Sequence, residues 1–278
     1  MSLEAWLARE AQAPRLRPGA GSQAVWAGAP GAPTPTALLF LHGFSASPDE
    51  LSPYPQRVAG ALGANLFLPR LTGHGQDGAA MGEATLADWR RDVAEAFRVA
   101  RGMGGRVLAL GCSTGATLLA LALADGEAAA GAVLLSPNFG VRSRRLSLAL
   151  DLPFAPVWVP RLMPGETGRD LRGERARVWT GRYPATAFIP VARAVRAARR
   201  ADLEAIRAPA LLCLSEEDGV IDPRLARAAL SRWGGPVTLH RVRHGPGDDP
   251  AAHVPAGMLS PGTTDALVEA TVAWARAL

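Results

Sequence analysis

The sequence predicts an α/β protein with a mostly parallel central sheet, flanked by helices and carrying a cap insertion. Three observations support this. Short runs rich in Leu and Val alternate with stretches of helical period along most of the 278 residues, the pattern of parallel strands joined through helices. The alternation lapses once, over residues 141–208, which are rich in Pro and Arg. The length suits one sizeable core with an insertion better than two independent domains.

The elements follow in order. Thr36–His42 (TALLFLH) reads as a buried strand and Asn65–Leu68, with its neighbours, as another. Leu86–Arg101 places Leu86, Trp89, Val93, Phe97 and Ala100 three or four residues apart, which is one face of a helix. Arg106–Leu110 is a strand, Thr114–Ala124 a helix and Gly131–Leu135 a strand. Beyond the insertion, Ala210–Leu214 is a strand. Pro223–Trp233 is a helix with Asp222 as N-cap and Pro at its first position, and Pro236–Val242 is a strand. Pro261–Leu278 is the closing helix, begun by Ser260. Residues 1–140 and 209–278 thus form the expected core and 141–208 the expected cap. No sheet strand is expected within the cap. Its apolar patch, Leu150–Leu162, offers Phe154, Val157, Trp158 and Leu162 as a ligand-lining or lipid-facing surface; a small core beneath the cap would give the same pattern.

Composition excludes several classes. The chain has no lysine, so all 30 basic side chains are arginine, and the net charge is only +5. With almost nothing titrating between the His and Arg ranges, this small excess drives the pI to 10.4, so the pI is no sign of nucleic-acid binding. Residues 141–208 hold 14 Arg against 6 acidic residues, and the rest 16 against 19. Arg142, Arg144, Arg145, Arg193, Arg196, Arg199 and Arg200 would suit weak contact with an anionic lipid surface or acidic substrate; the plainer reading is a solvated face. No stretch approaches the ~18–20 apolar residues of a membrane span. Met1–Arg17 lacks the basic start and apolar run of a signal peptide, so a cytoplasmic location is expected. Cys112 and Cys213 fall in strand ends and read as packing residues.

Chemistry concentrates at Gly111-Cys112-Ser113-Thr114-Gly115, a G-x-S-x-G run that follows an apolar strand and opens a helix. That is the setting of a nucleophile elbow, with Ser113 on a turn too tight for side chains at the flanking positions. His42-Gly43-Phe44 ends the first strand, and Leu71-Thr72-Gly73-His74-Gly75 follows the next. With these motifs the chain resembles the α/β-hydrolase superfamily, in particular its carboxylesterase and monoacylglycerol-lipase-like serine hydrolases. The resemblance covers residues 36–140 and 208–278.

The resemblance implies the α/β-hydrolase fold and a set of roles. The backbone N–H groups of Phe44 and Thr114 would form the oxyanion hole, while His42 and His74 would position loops. The Ser215–Asp222 segment aligns Asp218 as the triad acid, leaving Asp222 as a helix cap and Glu216 and Glu217 as solvated charges. Ser215 stands where the family usually has glycine. Among the histidines that follow, His253 is favoured over His244 and His240, since it lies in the loop before the last helix and His253-Val254 resembles the family's H-V pair. Ser113, activated by His253 and Asp218, would then form an acyl-enzyme without metal or cofactor. The expected substrates are small esters: medium-chain acyl esters or monoacylglycerol-like lipids. A thioesterase, acyltransferase or C–C bond hydrolase on the same triad is the alternative, and a non-catalytic ligand-binding member of the fold a third reading.

Overall fold

The computed structural model describes residues 1–142 and 155–278. Among them a seven-stranded sheet runs in the order β1-β3-β2-β4-β5-β8-β9. Its strands are β1 (Gln23–Val25), β2 (Thr34–Leu41), β3 (Asn65–Leu68), β4 (Gly104–Cys112), β5 (Gly131–Leu135), β8 (Ala210–Leu214) and β9 (Val237–Arg241). Only the edge strand β1 is antiparallel to its neighbour. The expected α/β class with a mostly parallel sheet is therefore what the chain adopts.

The inner strands read as continuous apolar runs because both faces are covered. Along β2, Ala37, Leu39 and Leu41 face one core, and Leu38 and Phe40 the other. The first core lies under α1 (Leu3–Glu10), α4 (Leu86–Met103), α5 (Thr114–Ala124) and α9 (Pro223–Leu230). The second lies under α2 (Tyr54–Leu62) and α10 (Pro261–Arg276). Helix α5 is apolar all round, and every residue from Thr114 to Leu123 is buried, as expected of a helix covered on all sides. A capping box joins Thr85 and Asp88 at the start of α4. Asp222 caps α9, accepting from Arg224 N–H. Ser260 precedes α10 but makes no side-chain cap bond; its hydroxyl instead donates to Val254 O.

Between β5 and β8 lie α6 (Ala155–Leu162), β6 (Glu166–Gly168), α7 (Gly173–Val178), β7 (Arg182–Pro184) and α8 (Phe188–Arg200). Among the described residues the segment adds nothing to the main sheet, but β6 and β7 pair as a separate antiparallel hairpin, too short to register as alternation. Strand β7 rests on α3 (Gly78–Glu83), where a Cβ at Gly78 would lie 2.2 Å from Arg182 O. Helix α8 buries Val191, Ala194 and Ala198 in the first core, so it belongs to the layer covering the sheet although it falls within residues 141–208.

The chain leaves β2 toward β3 on one side and reaches β4 on the other. The carboxyl ends of β2 and β4 therefore flank a topological switch point, where open α/β sheets form a crevice.

Candidate active site

Ser113 sits at the end of β4 with φ 50° and ψ −114°, a conformation that L residues rarely adopt. Its neighbours make the turn possible. A Cβ on Gly115 would lie 2.2 Å from Leu41 O, and one on Gly111 2.7 Å from Ala116 N. Ser113 N–H donates to Leu135 O at 2.9 Å, and Asn138 N–H donates to Ser113 O at 3.2 Å. The hydroxyl thus projects from backbone tied to the next strand.

Asp218 follows β8 and is fully buried. One carboxylate oxygen accepts the N–H groups of Val220 (2.8 Å) and Ile221 (2.9 Å). The other lies 2.8 Å from His253 Nδ1, and His253 Nε2 lies 3.0 Å from Ser113 Oγ. Three residues distant in sequence are brought into one hydrogen-bonded chain. Burial would lower the His253 pKa, but the hydrogen bond and charge of Asp218, with the charges of Glu50 and Asp249, leave it raised.

The His253 loop is held by Asp249, to which the sequence reading assigned no role. Its Oδ2 accepts His253 N–H at 3.0 Å and Val254 N–H at 2.9 Å, and its own N–H donates to Ser260 Oγ. Gly219 N–H donates to Ala251 O at 2.7 Å, joining this loop to that of Asp218. The only advance sign of this role was an Asp in a Gly- and Pro-rich loop, where Asx-type bonds are common. The other histidines lie elsewhere. His240 is within β9 and His244 bonds Val254 O. His42 is buried, donating from Nδ1 to Gly43 O (2.9 Å) and accepting Leu71 N–H at Nε2 (3.1 Å); burial lowers its pKa to about 4. His74 bonds Thr72 O and packs edge-on to His42.

The N–H groups of Phe44 and Thr114, expected as oxyanion donors, have no hydrogen-bond partner among the described residues. Both residues line one cavity of about 590 Å³ together with Ser113 and His253, within the size range of small-molecule sites. Its apolar wall comes from Leu171, Trp179, Tyr183, Phe188, Val220 and Leu259. Phe44, Tyr183 and Phe188 form a ring cluster with centroids 5.2–5.6 Å apart.

The expected lining from Phe154, Trp158 and Leu162 is not what the described residues provide. Phe154, like Arg144 and Arg145, lies outside them. Trp158 packs with Val159 against Ala185 beneath α6, and Leu162 is 73% exposed. The rings that line the cavity come instead from further along the segment. Two of the arginines expected on a charged surface are tied to backbone carbonyls: Arg142 to Asp218 O and Arg199 to Phe139 O.

One buried acid at the site was also unforeseen. Glu50 lines the cavity, is 4% exposed, and accepts Gly43 N–H at 2.6 Å. Burial, opposed by that hydrogen bond and by the charge of His253, pushes its pKa up to about 7. Cys112, beside the nucleophile, is fully buried, and burial raises its thiol well above the ordinary range. Among the described residues no group of three or more His, Cys, Asp or Glu side chains is arranged to hold a metal ion, and no helix is long and apolar enough to cross a membrane.

Comparison with known proteins adds the following. Residues 38–256 match the alpha/beta hydrolase family. The thermostable monoacylglycerol lipase of Bacillus sp. (strain H-257) is 28% identical over 197 residues, covering 68% of this chain and 73% of that protein. A solved structure from work on the metagenome-derived lipolytic enzymes LipS and LipT is 24% identical, with a TM-score of 0.72 over 94% of this chain and 99% of the other. The monoacylglycerol lipase of Paleococcus ferrophilus is 16% identical, with a TM-score of 0.64 over 92% and 98% of the two chains.

Proposed function

The chain belongs to the alpha/beta hydrolase family, and from that premise we propose that it is a carboxylic ester hydrolase working through an acyl-enzyme on Ser113. The observation that carries this reading is the His253 ring, which bridges Ser113 Oγ and Asp218 at 3.0 and 2.8 Å, with Ser113 and His253 lining the cavity.

In this reading Ser113 Oγ attacks the ester carbonyl while His253 Nε2 takes its proton. Asp218 fixes the imidazole with Nδ1–H toward itself and stabilises the imidazolium. The carbonyl oxygen becomes an oxyanion, accepting from the unpartnered N–H groups of Phe44 and Thr114; the latter opens α5, whose dipole favours negative charge. The carbon–oxygen bond then breaks, and the alcohol leaves with the proton held by His253. A water, deprotonated by the same nitrogen, attacks the acyl-enzyme; the bond to Ser113 Oγ then breaks, Oγ takes the proton back from His253, and the acid is released. The apolar wall of the cavity supports medium-chain acyl esters or monoacylglycerol-like lipids as substrates, in keeping with the lipase named above. The described part of the expected cap supplies Leu171, Trp179 and Tyr183 to that wall, and α8 adds Phe188.

The test is turnover of p-nitrophenyl esters of increasing acyl length, with labelling by a fluorophosphonate probe. The expected result is a rate peak at medium chain length, with both turnover and labelling lost in Ser113→Ala. Labelling that persists in Ser113→Ala would refute the assignment.

A further inference from the structure

Glu50 is a buried carboxyl at the site that the reaction above does not use. It has no ion-pair partner among the described residues. A buried acid without a cation is costly to keep, so its position calls for a reason.

The geometry around Gly43 supplies one. The Gly43–Phe44 peptide is planar and trans, so its C=O and its N–H point in opposite directions. Gly43 O is held by His42 Nδ1–H at 2.9 Å and by Ala46 N–H at 3.3 Å. Gly43 N–H is held by Glu50 Oε2 at 2.6 Å. The residue is thus pinned at both ends, which leaves Phe44 N–H directed away from those partners and free to donate. The approach is close enough that a Cβ at position 43 would lie 2.7 Å from Glu50 Oε1. One carboxyl therefore meets both the oxyanion turn and the cavity that it lines.

We propose that Glu50 is the positioning residue of the oxyanion hole, fixing the Gly43 turn so that Phe44 N–H is aimed before substrate arrives. The proposal rests on the acyl-enzyme reading of Ser113. What the turn requires at this point is an acceptor of the right reach. A glutamine meets that need and a leucine of similar bulk does not. Preorganised donors act on the transition state more than on the bound ester, so the effect belongs in kcat.

The test compares Glu50→Gln and Glu50→Leu with the wild-type chain. It reads kcat and KM on a p-nitrophenyl ester, and the affinity of an alkyl boronic acid, whose tetrahedral adduct places an oxygen where the oxyanion forms. Glu50→Leu is expected to lower kcat about 10²–10³-fold, the cost of losing one oxyanion donor, with KM little changed and boronate affinity reduced in parallel. Glu50→Gln is expected to recover kcat and boronate affinity to within about tenfold of wild type. A Glu50→Leu chain with wild-type kcat overturns the proposal, as does a loss confined to KM. If Glu50→Leu does not fold, Glu50→Gln decides alone: boronate affinity that falls as far as the loss of a donor overturns the proposal, and its retention supports it. A wild-type chain whose Ser113 takes no fluorophosphonate would instead defeat the ester-hydrolase reading, which keeps the two failures distinct.

Discussion

Glu50→Gln also gives a stability prediction that can be worked from its surroundings. Burial raises the folded-state pKa from 4.5 to about 7. The folded chain then binds this proton more tightly than the unfolded chain does, and its stability contribution is full below pH 4.5 and lost as pH rises through 7. A shift of that size corresponds to roughly 3 kcal/mol. His42 works in the opposite sense, since its folded pKa is lowered from 6.5 to about 4 and its contribution is lost as pH falls. His74, Asp92 and His253 are shifted as well, so the pH dependence of the wild type mixes several groups. The difference between proteins isolates Glu50, because His42 titrates in both and glutamine does not titrate. Urea denaturation at several pH values should show Glu50→Gln gaining about 3 kcal/mol relative to wild type between pH 4.5 and 7. A difference that stays constant across that range would refute the reasoning.

Asp218→Asn should lower kcat by about 10⁴ while leaving the fold intact, because the imidazole loses the acceptor that sets its tautomer. In the wild type, the acid limb of kcat/KM should lie above the ordinary histidine pKa of 6.5, since His253 must be neutral to act as a base and its pKa is raised; a limb below that value would contradict the assignment. Asp249→Ala should reduce kcat/KM by about 100-fold through displacement of the His253 ring, with steady-state kinetics as the check. Gly115→Ala should destabilise the chain by about 3 kcal/mol, because its Cβ would meet Leu41 O at 2.2 Å; thermal or urea unfolding measures this.

Much of the fold was legible because the inner parallel strands, buried on both faces, leave uninterrupted apolar runs. Gly131–Leu135 and Ala210–Leu214 have the boundaries read from sequence, and Asn65–Leu68 is the strand without the neighbours expected to extend it. Strand β1 escaped notice because three residues at an edge bury too little to show a pattern. Helices α1, α2 and α3 were also unread, α3 because six residues rich in Gly and Ala have no apolar stripe. At the site, Ser113 was marked by a G-x-S-x-G run between a strand and a helix, whereas Asp218 and His253 were expected through the family resemblance; the His253 ring lies within hydrogen-bond distance of both other side chains. Glu50 and Asp249 were not marked, since their partners are backbone amides, which no sequence spacing announces. The cavity wall was misread for a related reason. Apolarity marked Trp158 and Leu162, but whether a ring turns inward depends on where the β6–β7 hairpin and α8 dock.

The backbone at residue 113 sets function against durability. Its positive φ costs on the order of 1–3 kcal/mol for a side-chain-bearing residue, and glycine would be spared most of it. Ser113→Gly is accordingly expected to unfold at higher denaturant than the parent, by about 1 kcal/mol after allowing for glycine's larger unfolded entropy. A screen that rewarded robustness alone would discard the hydroxyl, and selection for turnover is what keeps it in place.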